Sequence, residues 1–140
     1  MLSWFRNKKI PDIYLYVSHF LDHFIILVFA KAAYDAGNEI GLTYGETIQL
    51  ATLGFILFGL ASPVAARLAD TYSRSIIMVV FHFGIGISSI LISFSHTSFH
   101  LVLGLSSLGF FAAIFHPVGI AMLLETNCLL YTSPSPRDPW

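Results

Sequence analysis

The chain has 140 residues and a formal charge of −1, with 56% hydrophobic and only 11% charged residues. A soluble domain carries about 25% charged residues to cover its surface with water-binding groups, so this composition excludes an ordinary soluble globule and fits a surface that faces lipid. The charge balance argues against nucleic acid, which needs a basic patch, and a lone cysteine, Cys128, excludes a disulfide framework or a thiolate metal site.

A basic N-terminus, with Arg6, Lys8 and Lys9, leads into a first apolar run from Ile13 to Ala30 that is interrupted only by Asp22. A signal peptide is the simplest alternative for such a start, but Asp22 breaks the apolar run, no small-residue cleavage site follows, and further spans do. A polar stretch comes next, with Lys31, Asp35 and Glu39. Its Gly37, Gly41 and Gly45 repeat is not read as a helix-pairing motif, because it lies outside an apolar segment. Three further runs are free of Asp, Glu, Lys and Arg: Thr47 to Ala66, Ser75 to Ser95, and Thr97 to Leu124. Crossing the ~30 Å hydrocarbon layer takes about 20 mostly apolar residues, and lipid forces them into helices, because open backbone groups find no partner there. The expected fold class is an all-α membrane protein of four antiparallel transmembrane helices, at about 11–34, 43–69, 74–95 and 98–125. Pro63 and Pro117 fall inside spans and are expected to kink them.

Basic residues set the orientation. Arg67 and Arg74 bracket the turn between spans two and three, whereas Asp35, Glu39 and His96 lie at the other end. The positive-inside rule puts the N-terminus and the 67–74 turn in the cytoplasm, with Lys31 the one dissenting charge; the expected location is the cytoplasmic (inner) membrane. The segment from Cys128 to Asp138, CLLYTSPSPRD, resembles one reading frame of a sequencing-library adapter. Residues 128–140 are therefore expected to be a disordered, non-native tail, excluded from fold reasoning, the alternative being a native Ser/Pro-rich linker.

The turn after span two reads Ala66-Arg67-Leu68-Ala69-Asp70-Thr71-Tyr72-Ser73-Arg74-Ser75. It resembles the G-x-L-A-D-R-x-G-R-R signature between helices two and three of the major facilitator superfamily, matching at Leu68, Ala69, Asp70 and Arg74 and departing at Ala66, Thr71, Ser73 and Ser75. Asp70 is expected just before helix three, where a carboxylate meets free backbone N–H groups and the positive end of the helix dipole. Arg74 lies within pairing reach. The resemblance implies a conformational latch; the alternative is a plain helix cap beside a topology-setting arginine. Span four carries a G-x-x-x-x-G run from Gly104 to Gly109 followed by Phe115-His116-Pro117-Val118-Gly119. This is similar to the fourth helix of the fosmidomycin-resistance-type branch of that superfamily. Many relatives have an arginine where this chain has Leu105. The resemblance covers roughly Tyr14 to Asn127 and implies a fragment, helices one to four of a twelve-helix transporter built from two related halves. Residues 1–127 are then part of the N-terminal half, and the remaining helices of the same polypeptide are missing partners.

Asp22 is the most informative residue. An acid in the bilayer costs about 2.5–3.5 kcal/mol on insertion scales, so it faces a cavity or a partner. Counting 1.5 Å per residue puts Asp22 about 13 Å, and His116 about 12 Å, from the inner ends of their oppositely directed spans. The two groups share a depth. In the superfamily the first and fourth helices line the central cavity, so Asp22 with His116, His19 and His23 is the expected proton-coupling or substrate site, against the plainer reading of a structural polar cluster. His19/His23 and His96/His100 form H-x-x-x-H pairs like those of membrane hydroxylases, but the two pairs lie toward opposite ends of their spans. No metal, no cofactor and no enzyme activity is expected. Small residues, Gly54, Gly59, Ala61, Ala65 and Ala69 on span two and Gly104, Ala112, Ala113 and Gly119 on span four, allow close helix contact.

The function implied is proton-coupled secondary transport, an efflux of a small solute or drug, with the fragment inactive alone. The alternatives are a complete four-helix multidrug exporter acting as a dimer, which also uses one acid in span one, and a non-transporting membrane subunit.

Overall fold

The computed structural model describes residues 9–131. Five helices follow in chain order: α1 Lys9–Glu39, α2 Tyr44–Thr71, α3 Arg74–Ser93, α4 Ser98–Ala112 and α5 Phe115–Tyr131. Long apolar segments within them, Ile13–Glu39, Tyr44–Thr71, Arg74–Ser93 and Ser98–Glu125, are each able to cross a membrane, the last made of α4 and most of α5. Short turns fold each span back against the one before it, so the chain is an all-α bundle of antiparallel transmembrane helices. Arg6 and Lys8 lie outside the described residues.

The first helix is longer than its apolar run. Asp35 and Glu39 sit on its last turns rather than in a loop. Lys31, out of place by the charge rule, forms an ion pair with Asp35 one helical turn on. Two backbone bonds then end the helix: Gly41 N–H donates to Asn38 O at 3.1 Å, and Leu42 N–H to Gly37 O at 2.8 Å. This is a Schellman stop, and it needs the positive φ of 81° that Gly41 adopts. Thr43 starts α2 with a reciprocal cap: Glu46 N–H donates to Thr43 Oγ1, and Thr43 N–H donates to Glu46 Oε2.

At the other end of the bundle, Asp70 does not cap α3. It stands in the last turn of α2, and Ser73 occupies the N-cap position without a side-chain bond. The reason is that α2 runs on to Thr71, which leaves only Tyr72 and Ser73 for the turn.

The fourth span is broken where a single helix over 98–125 is expected. Ile114 N–H bonds back to Phe111, a three-residue step, and regular bonding resumes from Val118 to Ile114. Pro117 is the cause: it has no N–H to give to Ala113 O, and its ring crowds that carbonyl. Ser62 on α2 approaches the freed carbonyl, with its Oγ 3.3 Å from Ala113 O and 2.9 Å from its own Phe58 O. Pro63, by contrast, lies within an unbroken α2. At the far end α5 continues to Tyr131, so the start of the segment expected to be disordered, Cys128 to Tyr131, is helical; the rest of it lies outside the described residues.

The core runs through the bundle as Met78, Phe81, Leu101 and Val118, with Ile85, Leu105 and Phe115 around them. The α2–α4 contact is the tightest. A methyl group on Gly109 would meet the carbonyl of Gly54, and one on Gly54 would come within 2.6 Å of Leu105 O. Such approach is how helices gain packing in lipid, where no hydrophobic force drives them together. Ser88 on α3 adds a hydroxyl contact to Ser107 on α4 at 2.7 Å. Gly59 has open space around it and does not take part. Large apolar side chains such as Phe55, Leu60, Phe83 and Phe94 point outward, which suits a lipid-facing surface.

Candidate functional site

Two polar groupings stand out: one around Asp22 in the middle of the bundle, and one at the α2–α3 turn.

The inward stripe of α1 is Leu15, Ser18, Asp22 and Ala33, all buried and spaced to share one helical face. His19 and His23 follow Ser18 and Asp22 by one residue, so they lie on the adjoining, exposed flank. Asp22 is only 1% exposed. Across from it, the restart of α5 buries Phe115 and sets His116 beside α1. His116 Nδ1 lies 3.6 Å from Asp22 Oδ2. The shared depth inferred from the sequence thus corresponds to a direct approach. Neither carboxylate oxygen of Asp22 has a hydrogen-bond partner, and neither has His116 Nδ1.

The two α1 histidines join this pair. Their Nε2 atoms are 3.0 Å apart. The ring of His116 lies edge-on to both, with centroids 5.9 Å from His19 and 5.6 Å from His23. Phe115 stacks on His19 at 5.3 Å, and Phe58 of α2 meets His116 edge-on at 6.0 Å. The donor nitrogens of His19, His23 and His116 all fall within 4.8 Å of one another. The expectation of no metal site compares the two H-x-x-x-H pairs along the bundle axis; the third imidazole comes instead from span four, and a pattern search within one helix cannot see it.

His82 on α3 is separate. Its Nδ1 lies 2.8 Å from Met78 O, which fixes the proton there and leaves Nε2 to accept from Ser18 Oγ at 3.2 Å. It is a satisfied structural histidine. His96 and His100 are exposed at the opposite end of the bundle, beside the start of α4.

At the α2–α3 turn Arg74 Nη2 donates to Asp70 Oδ1 at 3.0 Å. Arg74 also forms an ion pair with Glu125 on α5. Glu125 escapes the sequence reading, although one signal was present: it is the first charged residue after the uncharged run of span four. Ala69 is buried in the core beneath this network, and Leu68 points outward. Asp70, Ser73, Arg74 and Glu125 line a cavity of about 460 Å³. A second cavity, about 370 Å³ and almost wholly apolar, opens between α1, α2 and α4 along Phe29, Tyr34, Phe55, Phe58 and Leu108.

A four-span apolar bundle with, among the described residues, a buried acid at mid-span and a charged turn at one end defines a multi-pass integral membrane protein. The model of the Major Facilitator Superfamily matches residues 14–126, most of the chain, and the chain belongs to that family. The family points to a transporter rather than an enzyme. Comparison with curated proteins and with solved structures returned no match.

Proposed function

We propose that these spans belong to a proton-coupled secondary transporter that exports a small, largely apolar solute, and that Asp22 with His116 is the coupling site. One observation carries the reading: a fully buried carboxylate with no hydrogen-bond partner, 3.6 Å from an imidazole on another span. A permanently charged acid left so bare is costly in the bilayer, and a group that exchanges a proton with a neighbouring histidine is not permanently charged. The apolar cavity beside Phe58, whose ring touches His116, supports an apolar cargo close to the coupling pair. The F-H-P resemblance supports export.

In this reading the N-terminus and the Arg67–Arg74 turn face the cytoplasm across the inner membrane, as the basic residues suggest. Asp70, Arg74 and Glu125 tie α2, α3 and α5 together at that face and act as a latch on one state of the transport cycle. Further helices of the same polypeptide close the cavity over the exposed flank of His19 and His23, and the 140-residue chain by itself carries no flux.

The test is pH-driven transport by the full-length protein in vesicles. Asp22→Asn keeps the size and polarity of the side chain but holds no exchangeable proton near neutral pH. It is expected to abolish accumulation driven by a proton gradient while leaving downhill exchange of solute. Undiminished gradient-driven transport by this variant would remove Asp22 from the coupling site.

A further inference from the structure

We infer that His19, His23 and His116, backed by Asp22, form a binding site for a first-row divalent transition-metal ion of the zinc type. His19 and His23 are one helical turn apart on α1, the spacing that aims two imidazoles at one ion. Their Nε2 atoms already converge at 3.0 Å. The third imidazole arrives from a different span, and all three donors lie within 4.8 Å of one another. With zinc–nitrogen bonds of about 2.0–2.1 Å, tetrahedral ligands stand about 3.3 Å apart. The set therefore closes on an ion by side-chain adjustments of about an ångström.

A hydrogen bond between His19 and His23 would explain that pair alone. It does not explain why Asp22, 1% exposed, aims a carboxylate without a hydrogen-bond partner at His116 Nδ1. In metal sites a carboxylate holds one ring nitrogen of a ligating histidine and so orients the other toward the ion. Asp22 Oδ2 is on the Nδ1 side of His116, which leaves Nε2 as the ligating atom. The carboxylate also supplies a negative charge that offsets the ion in a low-dielectric setting. Phe115 against His19 and Phe58 against His116 restrain the rings and keep one side of the site dry. Imidazole donors favour zinc, cobalt, nickel and copper over magnesium or calcium, which want an oxygen shell.

The metal needs the same nitrogens free of protons, so the ion and protons compete for the cluster. The inference stands on the geometry of the cluster and does not require that Asp22 couples transport.

The experiment uses the 140-residue chain in detergent or nanodiscs, with no gradient and no transport. Cobalt(II) is titrated in and its visible d–d absorption followed, then zinc is used to displace it. The expected result is one ion per chain with the intense bands of tetrahedral nitrogen ligation. His23→Ala and His116→Ala each lose the bands, Asp22→Asn weakens binding by about 10–100-fold, and His82→Ala and His96→Ala behave as wild type. In a second measurement on the unaltered chain, zinc protects His19, His23 and His116 from acylation and leaves His96 and His100 reactive. Wild-type binding no tighter than that of a His19→Ala/His23→Ala/His116→Ala chain, or acylation of the three histidines indifferent to zinc, overturns the proposal. Loss of proton coupling by Asp22→Asn in the transport test, together with weakened rather than lost cobalt binding here, would sustain both readings. Coupling retained in that variant would sink only the transport reading.

Discussion

Glycine 109 and glycine 59 have the same side chain and opposite fates. Gly109 lies directly over the Gly54 carbonyl of α2, so any Cβ there collides with backbone, which cannot swing aside. Gly59 has nothing within contact range. Gly109→Ala is expected to destabilise the bundle by about 1–3 kcal/mol through enforced separation of α2 and α4. Gly59→Ala is expected to be neutral or to stabilise by up to about 1 kcal/mol, as helix propensity favours alanine. Unfolding of both variants in mixed detergent and SDS, followed by far-UV circular dichroism, compares them directly. Equal midpoints would mean that α2–α4 contact does not limit stability. Sequence spacing marks both glycines as small residues on apolar helices. Which of them faces a neighbour depends on how the helices are rotated about their axes, and that is fixed only when the other spans are in place.

At the scale of elements, the break between α4 and α5 matters most. Pro117 removes one backbone bond, Ser62 approaches the carbonyl that is freed, and His116 stands at the restart beside Asp22. Pro117→Ala restores an N–H at position 117 and lets the helix close. Spin labels at Phe99 and Leu124, both exposed, then move apart toward the about 38 Å expected for 25 residues of straight helix. On the proposed coupling reading, gradient-driven transport by the full-length protein falls as well, because His116 leaves its place beside the acid. An unchanged label distance would show that packing around Phe115 and Val118, rather than the proline, holds the break. The proline itself is plain in the sequence. That it ends one helix and begins another, while Pro63 leaves α2 unbroken, is seen only in the folded chain.

At the scale of the whole molecule, the Arg74 network joins α2 and α3 to the far end of span four. Arg74→Glu and Glu125→Arg each put like charges together, and on the proposed latch reading each slows transport by the full-length protein several-fold. The double exchange is expected to recover part of the rate, since the carboxylate it puts at position 74 stays beside Asp70; a loss caused by general misfolding would not allow that recovery. Initial rates in proteoliposomes decide between these outcomes, and a double variant no better than either single one would show that the pair does not govern the cycle. The signature turn pointed to Asp70 and Arg74, while Glu125 lies about 50 residues away from them along the chain and meets them only because the antiparallel spans return to the same face.

The amino-acid order by itself determined the solvent in which this protein lives, the number of crossings and the family. Each of those rests on properties summed along the chain: uncharged length, the spacing of apolar runs, and a motif within one turn. It also singled out Asp22, because an acid in an apolar run is conspicuous without any knowledge of neighbours. Only the folded bundle decided which groups meet. The convergence of His19, His23 and His116, the approach of Ser62 to Ala113 O and the partnership of Arg74 with Glu125 all join different spans. Contacts of that kind depend on helix rotation and tilt, which the packing of small residues sets and local sequence does not encode.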